Sequence, residues 1–225
     1  GTPYVKVFEE ERELTVFILA DISGSIDGGT RGVSKRDRIT ELAAVLAFSA
    51  MGNNDKVGAI LFSDRIEKFI PPKKGKSHVL RIIREIIEIE PEGKGTDITN
   101  ALDHFLSAMK KRTVSFLLSD FRDSGYEDLL KRAGRKHDFV ALKIEDPIDL
   151  DIPDVGWLPL KDHESGETKW MRTGSKKDRI RYRAIELERS DNLKRAFARA
   201  GIDSATIRTD MPYVKPLMQL FDRRG

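Results

Sequence analysis

Two short apolar runs, each stopping abruptly at an aspartate, constrain this chain more than any other feature. The first is Leu14-Thr15-Val16-Phe17-Ile18-Leu19-Ala20, ended by Asp21; the second runs from Thr113 to Ser119, ended by Asp120. A run of this length that is apolar without alternation reads as a strand covered on both faces. Strands of that kind belong to a sheet with helices packed on either side. Lys56 to Phe62 and Arg65 to Ile70 read as two further strands, and the short Ser63-Asp64 link between them implies a hairpin. Phe139 to Ile144 and Ala205 to Ile207 complete the set.

Helical stripes fall between the strands. Ile39, Leu42, Ala43 and Leu46 have helical spacing, with Asp37 placed to cap them. Val79, Ile82, Ile83, Ile86 and Ile87 form a second stripe, broken by Pro91, Gly93 and Gly95. Ile98, Ala101, Leu102, Phe105 and Met109 form a third that starts just after Thr96. Glu127 to Arg135, a long segment carrying Leu193, Ala196, Phe197 and Ala200, and a closing stripe of Val214, Leu217, Met218 and Phe221 supply the rest. The expected fold is α/β: a doubly wound, mostly parallel, Rossmann-like six-stranded sheet with one antiparallel edge strand. Residues 1–225 read as one domain, with a hairpin excursion at about 145–172 around Ser165-Gly166.

Composition narrows the chemistry. With no cysteine, disulfides, thiolate nucleophiles and cysteine zinc sites are excluded. The formal net charge is only +3, which gives no electrostatic case for nucleic acid. The even balance hides a polarity: residues 145–167 carry eight acids and one base, whereas 172–199 carry ten bases and four acids. Both segments read as solvated surface, with the two able to pair. Trp157 and Trp170 read as packing within the hairpin. His78, His104, His137 and His163 are isolated and read as surface residues. The chain opens Gly1-Thr2-Pro3-Tyr4, without Met or a basic-then-apolar leader, and the expectation is a cytoplasmic, trimmed piece of a longer protein whose remaining sequence is free to carry a membrane association. Its longest apolar-rich stretch, Leu42 to Met51, is too short to span a bilayer, so no membrane contact is expected of this segment.

Sites in open α/β sheets form at the carboxyl ends of the strands. Asp21 and Asp120 both stand there. Asp21 opens the motif Asp21-x-Ser23-x-Ser25, and Gly95-Thr96-Asp97 precedes a helix. Asp97 itself reads as a first-turn helix acid. Two carboxylates and three hydroxyls at one end of one sheet are hard oxygen donors, the kind Mg²⁺ prefers. The polar loop from Gly24 to Arg36 borders them and reads as a surface loop.

On these residues the chain resembles von Willebrand factor A domains. Asp21, Ser23, Ser25, Thr96 and Asp120 match, in order and in place, their metal-ion-dependent adhesion site, MIDAS. Pro3 to Arg12 and Leu118-Ser119-Asp120-Phe121 are further similar to bacterial uncharacterised-function family 58, whose members usually have an additional amino-terminal region. The resemblance implies Mg²⁺, with Mn²⁺ or Ca²⁺ as alternatives, held by Asp21, Ser23, Ser25, Thr96 and Asp120. It implies a protein partner that offers an exposed Asp or Glu to the ion, and association with a MoxR-type AAA+ ATPase. No covalent chemistry is required. The competing expectation is a Mg²⁺-dependent hydrolase or phosphatase using Asp21 and Asp120. There is no P-loop, no GxSxG elbow and no HExxH pair. A haloacid-dehalogenase-type phosphatase would carry an acid where this chain has Ser23.

Overall fold

The structure, a computed structural model, describes residues 13–26, 32–161 and 168–224. The stretch from Pro3 to Arg12, the middle of the loop after Ser25, and His163 therefore lie outside the described residues.

In chain order the elements are β1 (Thr15–Asp21), α1 (Lys35–Gly52), β2 (Lys56–Phe62), β3 (Ile66–Lys73), α2 (Lys76–Glu88), α3 (Ile98–Ala108), β4 (Val114–Ser119), α4 (Glu127–Lys136), β5 (Asp138–Glu145), β6 (Trp157–Lys161), β7 (Thr168–Arg172), α5 (Lys176–Ala200), β8 (Asp203–Arg208) and α6 (Val214–Asp222). Six strands form one sheet in the order β3-β2-β1-β4-β5-β8. All neighbours are parallel except the β2–β3 pair, which is antiparallel. This is the expected doubly wound, mostly parallel sheet with its one antiparallel edge. Strand β3 runs on through Pro71 and Pro72, residues that an edge strand tolerates because one row of its amides needs no partner. Strands β6 and β7 make a separate antiparallel pair, the hairpin expected in the excursion.

Alternate residues of β1 feed two cores. Val16, Ile18 and Ala20 face a cluster built with α1, α2 and α6, including Leu42, Ile82 and Leu217. Phe17 and Leu19 face a second, with Leu102 and Phe105 of α3, Leu130 of α4 and Phe197 of α5. The Phe17 ring lies across β2, where a Cβ on Gly58 would come within 2.7 Å of it. Only glycine at 58 leaves room for that ring.

Several local expectations are corrected. The cap of α1 is Ser34, whose hydroxyl accepts from the Asp37 amide, while the Asp37 carboxylate accepts in return from the Ser34 amide. This reciprocal capping box starts the helix two residues before Asp37 and brings Lys35 into its first turn. Asp97 is the N-cap of α3, accepting from the Asn100 amide at 2.7 Å, and Thr96 stands just outside the helix. In α6 the buried residues are Leu217 and Leu220, whereas Val214 and Met218 are exposed. His78 and His137 are buried rather than at the surface; His78 is hydrogen-bonded to the Val57 carbonyl oxygen at 2.9 Å. Trp157 and Trp170 are exposed on the hairpin, not packed within it. In the acidic segment, Glu145 and Asp146 are buried, and Asp146 accepts from the Thr209 hydroxyl at 2.6 Å. Farther along, acid and base segments do pair, Arg183 with Asp151 at 2.8 Å and Arg179 with Asp154 at 3.7 Å.

Candidate metal centre

The strand order reverses at the centre of the sheet. From β1 the chain moves to β2 and β3 on one side, then returns to β4 on the other. The crevice at such a switch point, beyond the carboxyl ends of the strands, is where doubly wound folds bind ligands. Ala20 lies opposite Leu118 in the β1–β4 ladder, so Asp21, Ser119 and Asp120 follow together at that mouth.

Asp21 forms the floor and is fully buried. One carboxylate oxygen accepts from the Ser23 amide at 3.0 Å, and the other accepts from the Ser119 hydroxyl at 2.6 Å. Burial, and then the neighbouring Asp120 charge, push its pKa up to about 7. The three hydroxyls join in a row: Thr96 Oγ1 donates to Ser23 Oγ at 2.7 Å, and Ser23 Oγ lies 3.1 Å from Ser25 Oγ. Ser23 is buried, while Ser25 and Thr96 are half-buried and form the outer rim.

The Thr96 loop is positioned from the β2–β3 turn. The Asp64 carboxylate accepts from the Lys94 and Gly95 amides at 3.2 and 3.1 Å. Gly93 is required there, since a Cβ would stand 2.1 Å from Asp64 Oδ1. The loop after β4 is tied to the same helix start, because Asp123 accepts from the Ile98 amide at 2.8 Å.

Asp120 is 4% exposed, with both oxygens engaged. Oδ1 accepts from the Arg122 amide at 3.1 Å, and Oδ2 accepts from Lys35 Nζ at 3.0 Å. The Arg122 guanidinium is 3.8 Å from Oδ2. The next residue, Phe121, has φ of 55°, a left-handed conformation that is costly for a bulky side chain. It is held by edge contact with Phe197 at 5.0 Å and by Arg189, which donates to its carbonyl at 2.9 Å. The turn directs the backbone sharply away after Asp120, leaving that carboxylate at the strand end.

All five residues expected from sequence thus meet at one place. Asp21, Ser23, Ser25 and Thr96 are linked by hydrogen bonds, and Asp120 lies near enough to Asp21 for its charge to be felt. Among the described residues, no group of three or more His, Cys, Asp or Glu comes together as a metal site. The donors are all oxygen, and two acids sit side by side under burial, a charge arrangement that a divalent cation relieves. Ser119, Lys35 and Arg122 are the functional neighbours that sequence reasoning missed. Ser119 was visible only as the last residue before Asp120, and Lys35 lay in a segment read as loop.

The family described as "Protein of unknown function DUF58" matches residues 1–192. An uncharacterized protein of Mycobacterium tuberculosis is 26% identical over 225 residues, covering 99% of this chain and 71% of that protein. Among solved structures, the conserved hypothetical protein BatB from Bacteroides thetaiotaomicron superposes with a TM-score of 0.61 at 19% identity, covering 93% of this chain and 98% of that one. An aerotolerance-related membrane protein from Bacteroides fragilis gives the same TM-score of 0.61 at 18% identity, covering 93% and 99%. At these identities the likeness is one of fold. No helix among the described residues is long and apolar enough to cross a membrane.

Proposed function

The chain belongs to the DUF58 family, and from that premise we propose that it is a protein-interaction module working through a divalent cation, Mg²⁺ before Mn²⁺ or Ca²⁺. The observation that carries this reading is the convergence of Asp21, Ser23, Ser25, Thr96 and Asp120 from three loops at the switch point of the sheet. The hydroxyls of Ser23, Ser25 and Thr96 would hold the ion, with Asp21 and Asp120 beside it. When bound, the ion supplies a concentrated positive charge for an incoming carboxylate. Three hydroxyls and two carboxylates supply at most five of the six oxygens that Mg²⁺ demands if each gives one, so an Asp or Glu of a partner protein is the natural completing group. The half-buried rim of Ser25 and Thr96 is the side from which such a group arrives.

The family resemblance suggests a MoxR-type AAA+ ATPase, or a protein it remodels, as the partner, and the cytoplasm as the place of action. A hydrolase reading is weaker. Both Asp21 oxygens are already engaged and the side chain is buried, which suits charge compensation better than nucleophilic attack. The test is capture of a purified MoxR-type ATPase on immobilised protein, with Mg²⁺ and with EDTA. Wild type is expected to capture only with Mg²⁺, and Asp21→Ala and Ser23→Ala to lose capture while keeping the native circular dichroism spectrum. Capture that survives EDTA and both substitutions would sink the proposal, and Mg²⁺-dependent phosphatase turnover abolished by Asp21→Asn would replace it with the hydrolase.

A further inference from the structure

Lys35 is a buried lysine, 3% exposed, in the first turn of α1. A buried ammonium is expensive unless it is paired and hydrogen-bonded. This one touches two carboxylates from two different loops: Asp120 Oδ2 at 3.0 Å and Asp149 Oδ2 at 2.9 Å. Asp149 is itself anchored. It accepts from Arg122 Nη2 at 3.1 Å and from the Asp146 amide at 2.9 Å, and Arg122 reaches on to Glu186 of α5 at 3.4 Å. Lys35 therefore has a firm second partner beside the one it shares with the metal centre. Asp120, in contrast, has among the described residues one side-chain cation within hydrogen-bond distance, Lys35, with the Arg122 guanidinium farther off at 3.8 Å.

Resting on the metal reading above, we propose that Lys35 is a resident competitor for the divalent ion, holding Asp120 in the metal-free protein and withdrawing onto Asp149 when the ion takes Asp120. An ammonium and a divalent cation cannot share one buried carboxylate oxygen without strong repulsion, because like charges held a few ångströms apart repel strongly even where the surroundings screen them moderately. The exchange keeps the buried carboxylate compensated in both states. It makes ion affinity a difference between two pairings, so the centre binds more weakly than its donors alone would allow and empties readily. A lysine whose role was only to position Asp120 would act in the opposite sense, since its removal would loosen the ligand and weaken binding.

The experiment is Mg²⁺ titration by isothermal calorimetry, with melting temperature against Mg²⁺ concentration as a second readout. Lys35→Met is expected to tighten the Mg²⁺ dissociation constant about tenfold or more, and to melt lower than wild type without metal. Lys35→Arg, which keeps the charge, is expected to stay near wild type and serves if Lys35→Met does not fold. A crystal structure with Mg²⁺ bound is expected to show Lys35 Nζ beyond hydrogen-bond distance of Asp120 and still on Asp149. Unchanged or weaker Mg²⁺ binding in Lys35→Met, tighter binding in Lys35→Arg, or a retained Lys35–Asp120 contact in the loaded crystal overturns the exchange while leaving the metal reading standing. Failure of wild type to bind Mg²⁺, Mn²⁺ or Ca²⁺ at all overturns both.

Discussion

Ser119 shows how much one hydroxyl can carry at the end of a strand. It donates to the buried Asp21 carboxylate, and it accepts from the Phe121 amide at 2.9 Å. Ser119→Ala would strand a buried acceptor and a buried donor together. The expected cost is about 1–3 kcal/mol, read as a lower denaturant midpoint with an unchanged slope. His137 makes a different kind of statement. Burial, followed by Lys136 and Arg112, lowers its pKa to about 4 from an ordinary 6.5, and among the described residues its Nε2 has no hydrogen-bond partner. Between those values the unfolded chain takes up a proton that the folded chain refuses. Stability from this residue is therefore complete above pH 6.5 and is lost as pH falls toward 4. A His137→Phe variant should unfold with a flatter pH dependence across that window in denaturant titrations; an unchanged slope would exonerate the histidine. The meeting of Asp21, Ser23, Ser25, Thr96 and Asp120 at one sheet end was legible because their residue types and spacing are themselves the signal. Ser119 and Lys35 were not, since their roles depend on the β1–β4 register and on a helix beginning at residue 35. His137 looked like a surface residue because nothing in its neighbours, Lys136 and Asp138, announces the Phe105 ring packed 4.6 Å away.

Helix α5 is the element whose two ends behave least alike. It runs 25 residues, yet only Phe197 and Ala200 are buried, and Gly201 stops it with a left-handed φ of 67°. Ile180, Ile185 and Leu187 in its first half are exposed. Phe197→Ala should cost about 3–5 kcal/mol, because it opens a hole beside Phe121, whereas Ile185→Ser should stay within about 0.5 kcal/mol of wild type in the same unfolding experiment. Comparable losses at the two sites would mean that the first half is packed against something in solution. The stripe of α6 misled for a related reason. Val214, Leu217, Met218, Leu220 and Phe221 form an apolar band wider than one helix face, so periodicity alone does not choose which part turns inward. The strands were clearer, since β1 and β4 are apolar on both faces and the short Ser63-Asp64 link announces the hairpin that makes β3 antiparallel. The cap of α1 was misplaced by three residues because Ser34 and Asp37 are both good caps, and only their reciprocal hydrogen bonds decide which one leads.

At the scale of the whole molecule, the hairpin is an annex to the sheet. Strands β6 and β7 pair with each other alone, and the base is closed where the Thr173 amide donates to the Gly156 carbonyl at 2.7 Å. Chain ends that close can be rejoined. Replacing residues 157–172 with two glycines should leave cooperative thermal unfolding by circular dichroism, with a melting temperature within a few degrees of wild type. A broad, non-cooperative melt would show that the hairpin supports the sheet. The architecture was legible as a whole because alternating strands and helices admit few arrangements once both faces of the strands must be covered. The exposed hairpin tryptophans were not, because two large apolar side chains in facing strands imply burial unless the shape of the surroundings is known.

Strand β1 is the first strand among the described residues and, with β4, one of the two central strands of the finished sheet. Its partners arrive late, β2 ending at Phe62 and β4 at Ser119. Until the ribosome has released the chain well past residue 119, Phe17, Ile18 and Leu19 have one hydrogen-bonding edge open and part of their covering helices unmade. The nascent protein thus carries its stickiest segment without its finished cover until β4 has been made, the period in which a chaperone at the exit tunnel has most to offer it.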